Sequence, residues 1–202
     1  MAPYKRTFST GGDPVVASVD FYDFATGTGF KDFYFMDNIT GAGTQGHILT
    51  PNASYYSTTG FTSVTDPAEL DVDFDIDLEI PFTLEGEAVF NVFFASGQAY
   101  SASVEVNIKR VTSTGTEIQV GTEVSETITW NNDTKVFSGK YTIPKTSFKA
   151  GEKIRVIVSS GSLGGGGRTL RVLHDPKDRD VSGTGTFLSS LSKISLPVNL
   201  QL

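Results

Sequence analysis

From Leu70 to Ile80 the chain reads Leu-Asp-Val-Asp-Phe-Asp-Ile-Asp-Leu-Glu-Ile, with every even residue apolar and every odd residue acidic. A period of two fits a β-strand and no helix, because successive side chains on a strand point to opposite faces. One face of this segment must meet a core. The other carries Asp71, Asp73, Asp75 and Asp77. Pro81 follows and ends the strand or bends it, since proline has no N–H for the ladder.

The same period recurs down the chain. Strands are expected over Ala88–Ala95, which is nearly all apolar and reads as buried on both faces, over Tyr100–Val111, Thr116–Val120 and Thr127–Trp130, and over Val136–Ile143. Lys153–Val158, Thr169–Leu173 and Lys193–Leu202 follow. Turn signals separate them, including Ser113-Thr114-Gly115 and Asn131-Asn132-Asp133. The fold expected is all-β: an antiparallel β-sandwich of jelly-roll type over residues 69–202. Residues 1–68 are rich in Gly, Thr, Ser and Asn with interleaved aromatics. They are expected to form an extended N-terminal arm with two short strands, Val19–Phe24 and Phe30–Met36.

Composition limits the function classes. With 38% apolar residues and 15 Phe the chain has material for a core, and with no Cys that core works without disulfides. The net charge of −7 and 16 scattered Lys and Arg argue against nucleic-acid binding. The start, Met1-Ala2-Pro3-Tyr4-Lys5-Arg6-Thr7, lacks the apolar stretch of a secretory signal, and no run approaches the ~18 apolar residues of a membrane helix. No membrane partner is expected.

The motifs that suggest chemistry are weak. Gly41-Ala42-Gly43-Thr44-Gln45-Gly46 has the spacing of a dinucleotide fingerprint, but His47-Ile48-Leu49-Thr50-Pro51 after it is a poor helix start, so it reads as a loop. His47 and His174 are the two histidines, and both read as structural or loop residues. No nucleophile elbow is present, and no histidine pair stands at zinc-ligand spacing. No cofactor and no catalytic residue is expected, and the chain is read as a non-enzyme. The aspartate row spaces its same-face carboxylates about 6.5–7 Å apart, too wide for one calcium ion. It reads as an electrostatic interface with a neighbouring basic surface. Tyr4, Phe8, Tyr55, Tyr56 and Phe61 read as aromatic interface anchors. Trp130, with Tyr55, Tyr56, Tyr100 and Tyr141, is the candidate platform for stacking a sugar.

Two resemblances add to this reading. Thr83–Phe90, Ser101–Val111 and Phe148–Val156 resemble the galactose-binding type of jelly roll, which recurs as an accessory domain in hydrolases. The order of parts resembles jelly-roll virion proteins of tailed phages and related viruses. Those parts are an aromatic stretch over Val19–Met36, then Ile48-Leu49-Thr50-Pro51-Asn52, the sandwich, Leu173-His174-Asp175-Pro176 and a last strand. That resemblance implies a capsid decoration or minor capsid protein, made in the host cytoplasm and located in the virion. It would be a homo-oligomer in contact with other virion proteins such as the major capsid protein. The alternative is a carbohydrate-binding module or a receptor-binding fibre head that contacts host glycans.

Overall fold

Alternation becomes structure over most of the chain. The structure, a computed structural model, describes residues 28–36, 47–51, 61–174 and 192–199. Twelve strands are described, numbered β1 (Thr28–Met36), β2 (His47–Thr50), β3 (Phe61–Thr65), β4 (Asp71–Asp77), β5 (Phe82–Ala95), β6 (Ala99–Val111), β7 (Glu117–Gln119), β8 (Val124–Asn131), β9 (Thr134–Phe148), β10 (Lys153–Ser160), β11 (Thr169–Leu173) and β12 (Lys193–Asn199). No helix occurs among the described residues.

Hydrogen-bond pairing arranges these strands as two faces of a sandwich. One face runs β4–β10–β6–β8, with the short β7 on the second half of the β6 edge. The other runs β1–β12–β5–β9. At one side β2 joins the two faces, antiparallel to β1 and parallel to β4. The ribbon of β3 and β11 extends the second face, with β11 on the last residues of β5. All the pairings are antiparallel except β2 with β4, so the expected all-β sandwich is the fold, with one parallel pair.

The inner faces carry the core. On β4, Val72 and Phe74 are buried; on β10, Ile154, Val156 and Val158; on β5, Leu84, Ala88, Phe90, Val92 and Phe94. Aromatic rings bridge the gap between the sheets. Phe35 of β1 meets Phe74 of β4 edge-on with centroids 4.6 Å apart, and Phe94 of β5 lies 6.4 Å from Trp130 of β8. Such edge-to-face pairs are favoured by the ring quadrupole. One polar group also crosses. The Tyr141 hydroxyl, carried by β9, donates to the Val120 carbonyl at 2.6 Å and accepts from the Ile108 N–H at 3.3 Å and from Gln119 Nε2 at 3.1 Å. Burial pushes the Tyr141 hydroxyl above its ordinary pKa.

Three differences from expectation have local causes. Strand β5 starts at Phe82, six residues before the expected Ala88, because Gly86 is absorbed as an irregularity in the pairing with β9 instead of breaking the strand. Its φ of 124° is open to glycine and strained for other residues. The segment Ala88–Ala95 is also not buried on both faces: Val89 is exposed, while Ala88, Phe90, Val92 and Phe94 point inward. Third, β1, β2 and β3 belong to the stretch 1–68 expected as an extended arm, yet all three are hydrogen-bonded into the sheet, and Phe33, Phe35 and Leu49 are core residues. The arm picture does not apply to these strands, because their apolar faces complete the core. The expected strand Val19–Phe24 lies outside the described residues, as does the Gly41–Gly46 loop.

Replacing Tyr141 by Phe keeps the ring and removes the cross-sheet hydroxyl, leaving a buried carbonyl and N–H without this partner. Urea unfolding should show a loss of about 1–3 kcal/mol. An unchanged midpoint would mean that the hydroxyl contributes nothing to holding the sheets together.

Candidate functional site

The aspartate row on β4 meets its counter-charges on the neighbouring strand of the same chain. The register places Asp75 opposite Arg155 and Asp77 opposite Lys153, both on β10. Arg155 grips Asp75 with two parallel bonds, Nε to Oδ1 at 2.8 Å and Nη2 to Oδ2 at 2.9 Å. Its Nη1 reaches Asp73 Oδ2 at 2.6 Å and Glu117 Oε1 at 2.7 Å. Lys153 lies 3.1 Å from Asp77 and 3.5 Å from Asp75, and Lys109 lies 2.6 Å from Glu117. The carboxylates around Arg155 hold its guanidinium firmly charged. The expected electrostatic interface with a neighbouring basic surface is thus satisfied inside the chain over Asp73, Asp75 and Asp77. Asp71 lies instead in a shallow groove of about 370 Å³ with Glu69, Glu105, Asn107 and Lys109.

Within the row the members differ. Burial pushes the Asp73 carboxyl above its ordinary value, and the nearby Asp71, Glu117 and Asp75 add to this against the pull of Arg155. The hydrogen bond from Lys109 holds Glu117 below its ordinary value, with Arg155 adding to it. A raised folded-state pKa means that folding disfavours the ionised form, so at neutral pH the Asp73 charge costs stability. Asp73→Asn should therefore leave the melting temperature at pH 7 unchanged or higher. Asp75→Asn, which breaks the two-point grip of Arg155, should lower it. Equal destabilisation by both changes in a calorimetric scan would show this division of roles to be wrong.

Trp130 is fully buried and packs 5.3 Å from Tyr100, which is itself 6% exposed; Tyr141 is also fully buried. These rings are core and present no stacking face, which corrects the reading of Trp130 as a carbohydrate residue. A large ring with a polar edge fits a core and a sugar site equally well by sequence, and only its place on an inward-facing position of β8 decides. Tyr4, Phe8, Tyr55 and Tyr56 lie outside the described residues. Phe61 is placed by its backbone, opposite Leu173 on the β3–β11 ribbon.

The fold also gathers two residues that sequence spacing keeps 127 positions apart. His47 Nε2 lies 2.7 Å from the Thr62 hydroxyl, His174 Nε2 lies 3.0 Å from the same oxygen, and the rings are 5.0 Å apart. The hydroxyl has one hydrogen, so it donates to one ring and accepts from the other. This bridge ties β2, β3 and the end of β11 together. His174 is 2% exposed and so lies in the interior.

Among the described residues, the most exposed large apolar side chain, Ile80, lies elsewhere. Strand β2 spans only four residues and ends before Pro51, and beyond it β1 and β4 are not joined by a described strand. There the sandwich opens as a mouth of about 180 Å³ between the sheets, lined by Lys31, Phe33, Phe82 and Leu196 on the β1 side and by Ile76, Leu78, Ile80 and Ile154 on the β4 side. Ile80 is 71% exposed, and Phe30, next to Lys31, is 64% exposed. A large exposed apolar side chain on the lip of an apolar opening is the kind of feature that marks contact sites.

No family model matches the chain, and no curated protein is similar to it in sequence. Solved structures share its fold. An alpha-amino acid ester hydrolase superposes with a TM-score of 0.60 at 14% identity, over 84% of this chain and 36% of that one. An aminopeptidase from a marine sediment Thaumarchaeota archaeon gives 0.56 at 10% identity, over 85% and 37%. A CocE/NonD family hydrolase from Staphylococcus aureus gives 0.53 at 12% identity, also over 85% and 37%. The chain therefore spans little more than a third of the length of these proteins. At such identities the likeness shows the fold alone, a jelly-roll-like β-sandwich. It nonetheless overturns the expectation of a non-enzyme. That expectation rested on an all-β pattern without a reactive motif, and the same sandwich is found within hydrolases and an aminopeptidase.

Proposed function

We propose that the chain serves as a structural part of a virus particle, a capsid decoration or minor capsid protein that works through protein–protein contacts. The observation that carries this reading is the apolar mouth with the 71% exposed Ile80 on its lip. Isolated exposed apolar residues need no explanation, but a large one on the lip of a concave apolar opening favours burial against another protein surface. The order of sequence parts, which resembles that of jelly-roll virion proteins, supplies the setting.

The rigid sandwich would set the position of the mouth, and the mouth would supply the anchor. Desolvated apolar anchors provide most of the binding energy at protein interfaces, while charges around them direct the approach. In particles purified from the natural source, the chain should be present at a fixed copy number and remain through density-gradient banding. Its absence from banded particles by quantitative mass spectrometry would overturn the reading.

A further inference from the structure

We infer that the mouth between the sheets is a socket for a segment of another protein chain that presents one large apolar side chain with a carboxylate beside it. The inference rests on the contact-surface reading above and names the chemistry of the partner which that surface takes.

Size limits the occupant. Pockets for small ligands usually enclose about 300–1,000 Å³. The mouth, at about 180 Å³, is smaller. An apolar cavity of about 150 Å³ is enough for one benzene ring. The mouth therefore has room for one Phe, Leu or Ile side chain and little more. A side chain delivered by a protein segment suits such a space, because the rest of the segment lies on the surface outside and needs no enclosure. Phe33 and Leu78 stand on opposite walls, and Ile80 stands at the lip, 71% exposed.

Charge selects the segment. Among the described residues lining the mouth, Lys31 is the one that carries a charge; the others are apolar. Its ammonium lies 5.5 Å from the centre of the Phe33 ring, which is itself part of the wall. Lys31 makes no ion pair among the described residues. The next residue, Asp32, points to the opposite face of β1 and is held by Lys193 at 2.8 Å. The mouth thus has a cation at its rim with no answering acid. That charge repels a basic segment and draws an acidic one. An apolar side chain seated in the mouth also displaces water from around Lys31. Its attraction for a carboxylate then strengthens, and a purely apolar occupant would cover the ammonium at a cost in free energy. The occupant that satisfies both the apolar walls and the rim carries a large apolar residue and an acid side by side.

The test titrates the full chain with three blocked peptides and follows its amide chemical shifts. The probes are acetyl-Gly-Phe-Glu-Gly-amide, the same peptide with Lys in place of Glu, and the same with Ser in place of Phe. The Phe-Glu peptide should shift the amides of Lys31, Phe33, Leu78 and Ile80 with a Kd of about 1–10 mM, as suits one anchor. The Phe-Lys peptide should bind at least about threefold more weakly, and the Ser-Glu peptide should leave those amides unmoved. In Lys31→Glu the order should reverse, with Phe-Lys the tighter of the two. A misfolded socket would lose both peptides, so it cannot produce that reversal. No shift at the mouth, equal affinity for the acidic and basic peptides, or an unchanged preference in Lys31→Glu would each overturn the inference. The two readings separate cleanly. A chain that selects the Phe-Glu peptide yet is absent from banded particles keeps this inference and refutes the virion reading. A chain retained in particles whose mouth ignores the peptides does the reverse.

Discussion

Each face of this sandwich can bury its apolar side chains only against the other. No cysteine cross-links the chain, and the described residues include no helix to cover a sheet from outside. Stability must come from area removed from water between the sheets, at about 25 cal/mol per Å². Phe35, Phe74, Phe90, Phe94, Phe137 and Trp130 all lie fully or almost fully buried in that space. The other features serve this burial. The long β5–β9 ladder continues past a register shift at Gly86, and Gly139 leaves room for the Phe90 ring, which lies where a Cβ would otherwise stand. The Tyr141 hydroxyl of one sheet makes its hydrogen bonds where Val120, Ile108 and Gln119 of the other converge.

Local pattern made the strands legible, and distant pairing decided what it could not. The alternation of Leu70–Ile80 identifies both β4 and its inward face, since Leu70, Val72 and Phe74 are buried as the period requires. It does not reveal that Arg155 and Lys153, some eighty residues on, would lie beside the acidic face, because register between distant strands has no local signature. The membership of β1 in the sheet was hidden for the same reason: its partner on one side is β12, at the far end of the sequence. His47 and His174 looked unrelated until β2, β3 and β11 brought them to one hydroxyl. Trp130 was misread because a tryptophan has the same composition in a core as on a binding face.

A fold of this kind constrains function weakly. The sandwich that superposes on hydrolases and an aminopeptidase does so at 10–14% identity, so what the chains share is a solution to burying two sheets, with different side chains. Function then resides where the burial problem is solved incompletely. On the outer face of β4 it is solved by charge: the aspartates, unfavourable in a strand, are neutralised by Arg155 and Lys153 and become part of the scaffold.

At the mouth the solution is incomplete for a single physical reason. β2 joins the two faces, and it is four residues long because Pro51 cannot donate the next ladder bond. Over those four residues the inner face is sealed, and Phe35 and Phe74 beside it are fully buried. Past them, the apolar period of β4 continues outward through Ile76 and Leu78 to Ile80, and burial falls away along the same face of the same segment. Among the described residues nothing covers the outer end of that apolar period, where Ile80 is 71% exposed, and a covering surface gains from it only if its own shape fits.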